Sequence, residues 1–221
     1  MTSWRRNRPL LKLHHLVSSR SQRILWLLEE LGLDYELVIY PRDPKTNFAP
    51  PELKAIHPLG KSPLLEDDGR VLAESGAIID SVLRRHGQGR LAPAPDSAEY
   101  DAYVHWLHYA EGSAMLPIVL GVYMGRLGEA SAPLQPRISS EVQNHLGYIS
   151  GALGERDYLV GNSFSAADIQ MSFVLEAARS AGALESFPHL IAYLERLHAR
   201  PAYQRAIQRG GPVNLGGQGK R

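Results

Sequence analysis

The sequence of 221 residues contains no cysteine. This absence excludes disulfides, thiolate metal sites and a cysteine nucleophile. It also fits a protein of the reducing cytoplasm, which is the location we expect. Any thiol chemistry that the protein performs must use a thiol brought by a substrate.

An excess of charge of one sign and long apolar runs are also lacking. Lys and Arg number 24 against 23 Asp and Glu, which gives a formal net charge of +1. So small a net charge creates no field of the kind that attracts nucleic acid or an anionic membrane. No apolar run approaches the roughly 18 residues of a membrane-spanning helix. We therefore expect neither nucleic acid nor a membrane as a partner.

The histidines form no metal-binding pattern. His14-His15 and His105-x-x-His108 each offer two ligands, without a carboxylate or cysteine in obvious register. Zinc sites need a fuller ligand set, so we expect these histidines in the core or at the surface. We predict no metal and no permanently bound cofactor.

Both ends of the chain are basic. Two adjacent arginines near the start are typical of a twin-arginine export signal, but Lys12, His14 and His15 interrupt the apolar stretch that such a signal needs. We interpret the first nine residues as a short basic tail that is not processed. Gly210–Arg221 is Gly-rich and basic, which predicts disorder.

The first third of the chain has the pattern of strand, helix and strand. Leu10–Leu16 is a short apolar run, and a serine-rich loop and a helix that Gly32 ends follow it. Tyr35–Tyr40 (YELVIY) has the content of a second strand. Such a βαβ unit favours parallel strands, which makes the start of its helix a natural ligand site.

A turn, a hairpin and a helix complete this part of the chain. The prolines and glycine of PELKAIHPLGKSP leave no room for a long helix. Leu64–Glu66 and Val71–Ala73 flank Asp67-Asp68-Gly69, a strong hairpin signal. Ser75 is a credible N-cap for the helix that Gly87 ends. We predict a first domain over residues 1–88.

A second domain, residues 97–221, follows a linker over Gly87–Pro95. Its pattern is helical throughout. We predict helices over residues 97–122, 135–151, 165–181 and 188–200, and a last short helix that opens at Pro201.

Four motifs in order resemble the glutathione transferase superfamily. They are HLVSSRSQRILWLLEELGL (15–33), HPLGKSPLLED (57–67), ESGAII (74–79) and FSAADIQMSF (164–173). The resemblance spans nearly the whole chain. It implies an α/β thioredoxin-like N-terminal domain (βαβ-ββα) followed by an all-α C-terminal domain. The serine-rich loop resembles the serine-type classes, and the longer segment SRSQRILWLLEELGL resembles a bacterial and fungal subgroup.

The resemblance also implies where glutathione binds. The Ser62–Pro63 bond is expected to be cis, and the backbone beside it to pair with the cysteinyl part of the peptide as an added strand does. Ser75 and free helical N–H groups suit the γ-glutamyl carboxylate, and Glu74 suits its ammonium. The residues assigned to glutathione are Arg20, His57, Lys61, Ser62, Pro63, Glu74 and Ser75.

The reactive hydroxyl is expected in the loop after the first strand. Ser21 is predicted to lie in the first helical turn, where a serine commonly bonds only backbone. In the family's serine-type classes the hydroxyl precedes the helix arginine by four or five positions. Counted back from Arg23, this spacing leaves Ser19 or Ser18, and it favours Ser19.

Two motifs of the second domain have a structural interpretation. Ser165-Ala-Ala-Asp168 reads as a capping box, so Asp168 is assigned to stability. A stripe of large side chains at helical spacing is first interpreted as helix packing; it consists of Tyr103, Trp106, Tyr109 and Met115. In this family the same helix also lines the acceptor pocket, so Trp106, Tyr109 and Met115 are candidates for that pocket.

The resemblance predicts an enzyme that adds glutathione, as co-substrate, to a small hydrophobic electrophile, and it predicts a homodimer. Two alternatives stay open: a glutathione-binding module without turnover, and a glutathione-dependent peroxidase or isomerase. The serine cluster, Pro63 and Glu74-Ser75 favour the enzyme.

Overall fold

The structure is a computed structural model that describes residues 11–215. The predicted basic tail and the last six residues of the predicted disordered end lie outside the described residues. Within residues 11–215, no helix has the length and apolar content that crossing a bilayer requires.

A four-stranded mixed sheet forms the first half of the molecule. Its strands are β1 (Leu11–Leu16), β2 (Tyr35–Tyr40), β3 (Leu64–Asp67) and β4 (Arg70–Ala73). They lie in the order β2-β1-β3-β4, with β2 parallel to β1 and β3 antiparallel to both of its neighbours. Asp68 and Gly69, which both have a positive φ, make the tight turn between β3 and β4.

Three helices accompany the sheet: α1 (Ser21–Leu31), α2 (Glu52–Ile56) and α3 (Ser75–His86). Gly32 adopts a φ of 61°, and its N–H caps the carbonyls of α1, as its sequence position predicted. The prediction that Ser75 is an N-cap is wrong. Ser75 is the first helical residue, and Glu74 occupies the flanking position with a φ of 70°.

The second half of the described chain is all helical, as predicted. Its α-helices are α4 (Tyr100–Tyr109), α5 (Met115–Leu127), α6 (Gln135–Leu153), α7 (Ala166–Ser180), α8 (Pro188–His198) and α9 (Pro201–Gly210). The single helix predicted over 97–122 is two helices joined by a π-helical turn at Ala110–Ala114. Hydrophobic spacing did not predict this turn, because π-helical turns are rare and are inserted as single turns inside helices that otherwise keep the α-helical pattern.

The two halves share one hydrophobic core, in which buried residues of β1 and α1 join those of α4 and α7. Helix α1 lies at the junction, and Trp26 packs edge-on against Tyr203 of α9 at 5.1 Å. The segment predicted as a linker is tied to both sides. Arg90 donates to the Leu31 carbonyl at 2.6 Å, and Ala166 N–H donates to the Leu91 carbonyl at 2.8 Å.

The start of the predicted disordered end is ordered in the structure. Val213 and Leu215 pack against the core, and Asn214 N–H donates to Ser18 Oγ at 3.1 Å. For residues 211–215 the prediction of disorder is therefore wrong. Composition suggested disorder, whereas partial burial of Val213 and Leu215, together with the bond from Asn214 to Ser18, opposes the entropy cost of ordering.

Candidate functional site

The sheet topology brings three predicted segments to one edge. Because β1 and β4 run in the same direction and β3 runs against both, the ends of β1 and β4 meet the start of β3. The serine loop follows β1, Pro63 precedes β3, and Glu74 follows β4. The register aligns His14 with Leu64 and Leu64 with Ala73, so these segments are neighbours.

The Ser62–Pro63 peptide bond is cis, as the resemblance implied. Ser62 Oγ donates to the His14 carbonyl at 3.1 Å and accepts from Leu16 N–H at 3.3 Å, which ties the loop to the end of β1. No hydrogen bond joins the backbone N–H or carbonyl of Ser62 to another residue within 11–215. These groups are free to pair with an extended ligand.

Two other residues assigned to this loop are less constrained. His57 is half-buried, and its Nδ1 accepts a long 3.4 Å bond from Leu59 N–H. Lys61 is exposed. Both lie within six residues of Pro63, on the surface beside the cis bond.

The N-terminus of α3 is open. Glu74 is exposed, whereas Ser75 is only 4% exposed. Neither side chain makes a hydrogen bond or ion pair within the described part of the chain, and α3 has no side-chain cap. Helix N–H groups without a cap attract an anion, and an unpaired carboxylate beside them attracts a cation.

The three loop serines differ in their partners. Ser19, 6% exposed, lies 2.8 Å from Ser21 Oγ and accepts from Ser21 N–H at 3.2 Å. Ser21 Oγ lies 2.8 Å from His15 Nδ1. Ser18 has a φ of 51°, and its hydroxyl bonds Pro212 and Asn214 of the C-terminal segment. Ser21 also bonds the Leu16 carbonyl, as predicted, but its contact with His15 was not predicted.

Arg42 braces the same loop and was missed by sequence reasoning. Its guanidinium donates to the carbonyls of Val17 at 2.9 Å, Ser18 at 2.8 Å and Asn47 at 2.9 Å. Burial lowers the pKa of this guanidinium. A lone arginine in a polar loop carries no sequence signal for such a role.

Arg20, assigned to glutathione from sequence, is held by the helical domain. Its Nε donates to Glu111 Oε2 at 2.8 Å, while buried Arg23 bonds Glu111 Oε1. Burial opposes ionisation of Glu111, but the two guanidinium charges outweigh it and lower its pKa. Glu111, in the π-helical turn, was also missed, and it joins the loop to the second domain.

The acceptor-pocket candidates lie in a cluster of aromatic rings. Trp106 and Met115 are buried at 4% and 3% exposure. Tyr109 is half-buried, and its ring centroid lies 5.4 Å from that of Trp106 and 5.2 Å from that of Tyr148. Burial, with a smaller contribution from Tyr148, raises the pKa of Tyr109 to about 12.

The histidine pairs make separate contacts. His14 Nε2 bonds Glu66 at 2.8 Å, while His15 points to the other face of β1. Across residues 11–215, no three His, Asp or Glu side chains are grouped as metal ligands.

Comparison with protein families divides the chain in two. Residues 17–82 match the model of the glutathione S-transferase N-terminal domain. Residues 105–201 match the model of the glutathione S-transferase C-terminal domain.

Individual relatives that match most of the chain are likewise named glutathione S-transferases. Glutathione S-transferase 1 of Saccharomyces cerevisiae is 36% identical over 219 residues, which cover 88% of this chain and 93% of that protein. Glutathione S-transferase 3 of Schizosaccharomyces pombe is 33% identical, over 90% and 88% of the two chains. The crystal structure of a glutathione S-transferase from Actinobacillus pleuropneumoniae superposes with a TM-score of 0.83 at 36% identity and covers 93% of this chain and 95% of that one.

A family member from Pseudomonas fluorescens, solved with two glutathione bound, is 26% identical, with a TM-score of 0.76 over 91% of this chain and 94% of that one. The agreement extends over both halves of the chain and confirms the predicted fold class. The chain belongs to the glutathione S-transferase family.

Proposed function

We propose that this family member activates glutathione at the Ser19 loop and transfers it to small apolar electrophiles. The observation that carries the proposal is the meeting, at one sheet edge, of the serine loop, the backbone of Ser62 before β3, unpaired within residues 11–215, and the open N-terminus of α3. Each of the three suits one part of a γ-glutamyl-cysteinyl peptide.

The γ-glutamyl end is assigned to α3. Its carboxylate would accept from the Ser75 hydroxyl and the free helical N–H groups, and its ammonium would meet the Glu74 carboxylate. The cysteinyl backbone would pair with the N–H and carbonyl of Ser62 in the manner of an added strand. Lys61, His57 and Arg20 are assigned to the remaining carboxylate because they are cationic or polar groups of the segments that meet at this edge. Arg20 would serve it while paired with Glu111.

Thiol activation needs only modest stabilisation. A free thiol with a pKa of ~8.5 is only ~3% ionised at pH 7. Lowering its pKa by ~2 units requires ~2.7 kcal/mol of preference for the thiolate. A hydroxyl bond to the charged sulfur contributes about 1.5–3 kcal/mol, and the N-terminus of α1 adds about 0.3–1 kcal/mol. No charged general base in contact with the sulfur is needed.

The acceptor is assigned to the face of α4 and α5 beside the loop. Tyr109, the least buried of the three candidates, would contact it directly, while buried Trp106 and Met115 would support the pocket wall. A pocket with such a lining favours apolar electrophiles.

The test of the Ser19 assignment is a thiolate titration. Ser19→Ala is expected to raise the apparent pKa of bound glutathione by ~1 to 2 units, the loss of one charge-assisted bond. Ser18→Ala, the matched control in the same loop, should change it little. Absorbance of the bound thiolate from about pH 5 to 10 measures both. A shift in Ser18→Ala alone would move the role to Ser18, and no shift in either would leave backbone N–H groups or Arg20.

Two assays separate an enzyme from a binding module. Retention on immobilised glutathione tests the peptide site, and conjugation of chlorodinitrobenzene tests turnover. Retention without conjugation would favour a module that has lost catalysis.

We also propose a cytoplasmic homodimer with domains over residues 1–88 and 97–221. Several large apolar side chains of α5 are exposed, which suits burial against a second copy: Leu116, Leu120, Val122, Tyr123 and Leu127. Sedimentation at the mass of one chain across working concentrations would overturn the dimer.

A further inference from the structure

A buried chain of hydrogen bonds runs from Ser19 into the protein. Ser19 Oγ lies 2.8 Å from Ser21 Oγ, which lies 2.8 Å from His15 Nδ1. His15 Nε2 in turn lies 3.0 Å from the carbonyl oxygen of Gly210. The chain links the proposed thiol-activating hydroxyl to an imidazole at the end of α9.

The direction of each bond follows from the Gly210 carbonyl. A carbonyl only accepts, so His15 Nε2 must carry a hydrogen. In neutral His15 the Nδ1 atom is then bare. Ser21 Oγ lies 2.8 Å from this nitrogen and 3.2 Å from the Leu16 carbonyl, and we assign its one hydroxyl hydrogen to the nearer acceptor, Nδ1. Ser21 has no second hydrogen to give, so Ser19 must donate to Ser21.

Protonation of His15 reverses this order. With hydrogens on both ring nitrogens, Nδ1 donates to Ser21 Oγ. The Ser21 hydrogen is then released to Ser19 Oγ, which at 2.8 Å is nearer than the Leu16 carbonyl at 3.2 Å. The hydroxyl hydrogen of Ser19 is then free to point at a sulfur. The charge on His15 therefore decides whether Ser19 is committed to the protein or available to a thiolate.

The protein holds this imidazole closely. A Cβ on Gly210 would lie 2.9 Å from His15 Nε2 and 2.5 Å from Leu25 Cδ2, so only glycine allows this approach. Gly210 is the last residue of α9, where the carbonyl end of the helix dipole favours a cation. Burial lowers the pKa of His15, and the bond to Gly210 partly opposes that shift.

Resting on the function proposed above, we propose that His15 is a positioning residue that takes up the thiol proton through Ser21 and Ser19. The thiol S–H bond breaks and its proton passes to Ser19 Oγ. The Ser19 hydrogen passes to Ser21 Oγ, and the Ser21 hydrogen passes to His15 Nδ1. One S–H bond is replaced by one N–H bond, and the products are a thiolate and an imidazolium.

The products stabilise each other. Ser19 now donates to the thiolate, Ser21 donates to Ser19, and the imidazolium donates to Ser21. The buried imidazole stays neutral until a thiolate of opposite charge forms at the other end of the chain. The site is therefore set to ionise glutathione only when it is bound.

The charged groups on the elements packed around His15 are already engaged elsewhere. Arg20 and Arg23 pair with Glu111, and Arg205 and Arg209 pair with Glu29. Glu30 pairs with Arg200, and Glu66 pairs with Lys12 and His14. Tyr40 of β2 also contacts His14, on the opposite face of β1. None of these groups makes a hydrogen bond or ion pair with His15 among the described residues.

The kinetic test uses the full chain and breaks the relay at two points. Ser21→Ala and His15→Asn are expected to raise the pKa of the bound thiol by about one unit. Conjugation of chlorodinitrobenzene near pH 6.5 should therefore fall roughly tenfold. Near pH 9.5, where solvent ionises the thiol unaided, the loss should nearly vanish. The control is His14→Asn, because His14 is as buried as His15 on the same strand and lies outside the relay. An equal loss at every pH would overturn the relay and leave a structural role.

A second measurement needs no variant. Imidazole nitrogen NMR of the wild-type protein should find His15 cationic at neutral pH with glutathione bound, and neutral with S-methylglutathione, which has no thiol proton. A neutral His15 in both complexes overturns the proposal even if conjugation is normal. Failure of glutathione to bind, or of Ser19→Ala to shift the thiol pKa, would instead count against the proposed function itself.

Discussion

Two helices of this protein begin with the same kinds of residue and use them differently. Helix α7 follows Ser165 and has Asp168 in its first turn, while α3 opens with Glu74 and Ser75. Each start combines one hydroxyl with one carboxylate. The hydroxyl and carboxylate at the start of α7 are hydrogen-bonded within the protein. Those at the start of α3 have no partner among the described residues.

The start of α7 is fully satisfied. Ser165 and Asp168 form the predicted capping box, and Asp168 is completely buried. Its carboxylate accepts from Leu159 N–H at 3.0 Å, from Ser165 N–H at 2.8 Å and Oγ at 3.1 Å, and from Tyr193 O–H at 2.6 Å. Burial raises the pKa of Asp168, and these four bonds oppose the rise.

The start of α3 has no such closure. Glu74 is exposed and its backbone adopts a φ of 70°, which is costly for a residue with a side chain. Fold stability does not explain that conformation, since the carboxylate has no partner among the described residues. The comparison teaches that the bonding of a helix start, and not its residue types, separates a structural cap from a binding site.

The largest effect is expected from breaking the closed start. Asp168→Ala leaves four buried donors without an acceptor and should lower the free energy of unfolding by about 3–5 kcal/mol. Urea unfolding measures this. If α7 is purely structural, the remaining folded protein should bind glutathione with unchanged affinity. A small loss of stability together with a large loss of affinity would place Asp168 in the binding site.

A smaller effect is expected from removing one donor. Tyr193→Phe deletes the hydroxyl that donates to Asp168 while keeping the buried ring, and should cost about 1.5–3 kcal/mol. Tyr203→Phe, on the neighbouring helix, is a matched control that removes a bond to Glu176 instead. Combined with Asp168→Ala, the Tyr193 change should add little, and full additivity would argue against the shared bond.

The open start should respond in binding and not in stability. Glu74→Ala and Ser75→Ala are each expected to weaken glutathione binding roughly tenfold, about 1.4 kcal/mol. Calorimetric titration measures the affinity, and the midpoint of thermal unfolding should hardly move. Conjugation at saturating glutathione should be retained, because both groups contact the non-reacting end of the peptide. An unchanged dissociation constant would remove both residues from the site.

The smallest effect is expected from Glu74→Gly, which should change stability and glutathione affinity in opposite directions. Glu74→Gly relieves the positive φ and should raise the free energy of unfolding by about 1 kcal/mol while glutathione affinity falls. Asp68→Gly, at a φ of 54° in the turn between β3 and β4, is the control that relieves strain away from the site. It also removes an exposed ion pair with Arg85, which contributes little to stability. Loss of stability in Glu74→Gly would mean that the Glu74 side chain supports the fold.

Local sequence determined much of this protein. The Asp68-Gly69 turn, the Gly32 cap and the Ser165–Asp168 box were all predicted, because each depends on residues within a few positions of one another. The strands and helix of the βαβ unit were predicted from the pattern within each element, although its parallel pairing joins distant residues such as Leu11 and Tyr35. Hydrophobic periodicity likewise predicted the all-helical second half. The four motifs placed the cis bond at Ser62–Pro63 through resemblance, since spacing alone does not specify it.

Tertiary structure decided the parts that join distant segments. The bonds from His15 to Gly210 and from Ser18 to Asn214 span 195 and 196 residues, and Arg42 reaches Ser18 across 24. The residue types at these positions are common, and their partners lie on other elements. Whether a serine or a carboxylate is committed to the fold or left for a ligand depends on which donors packing brings beside it, and this became visible only in three dimensions.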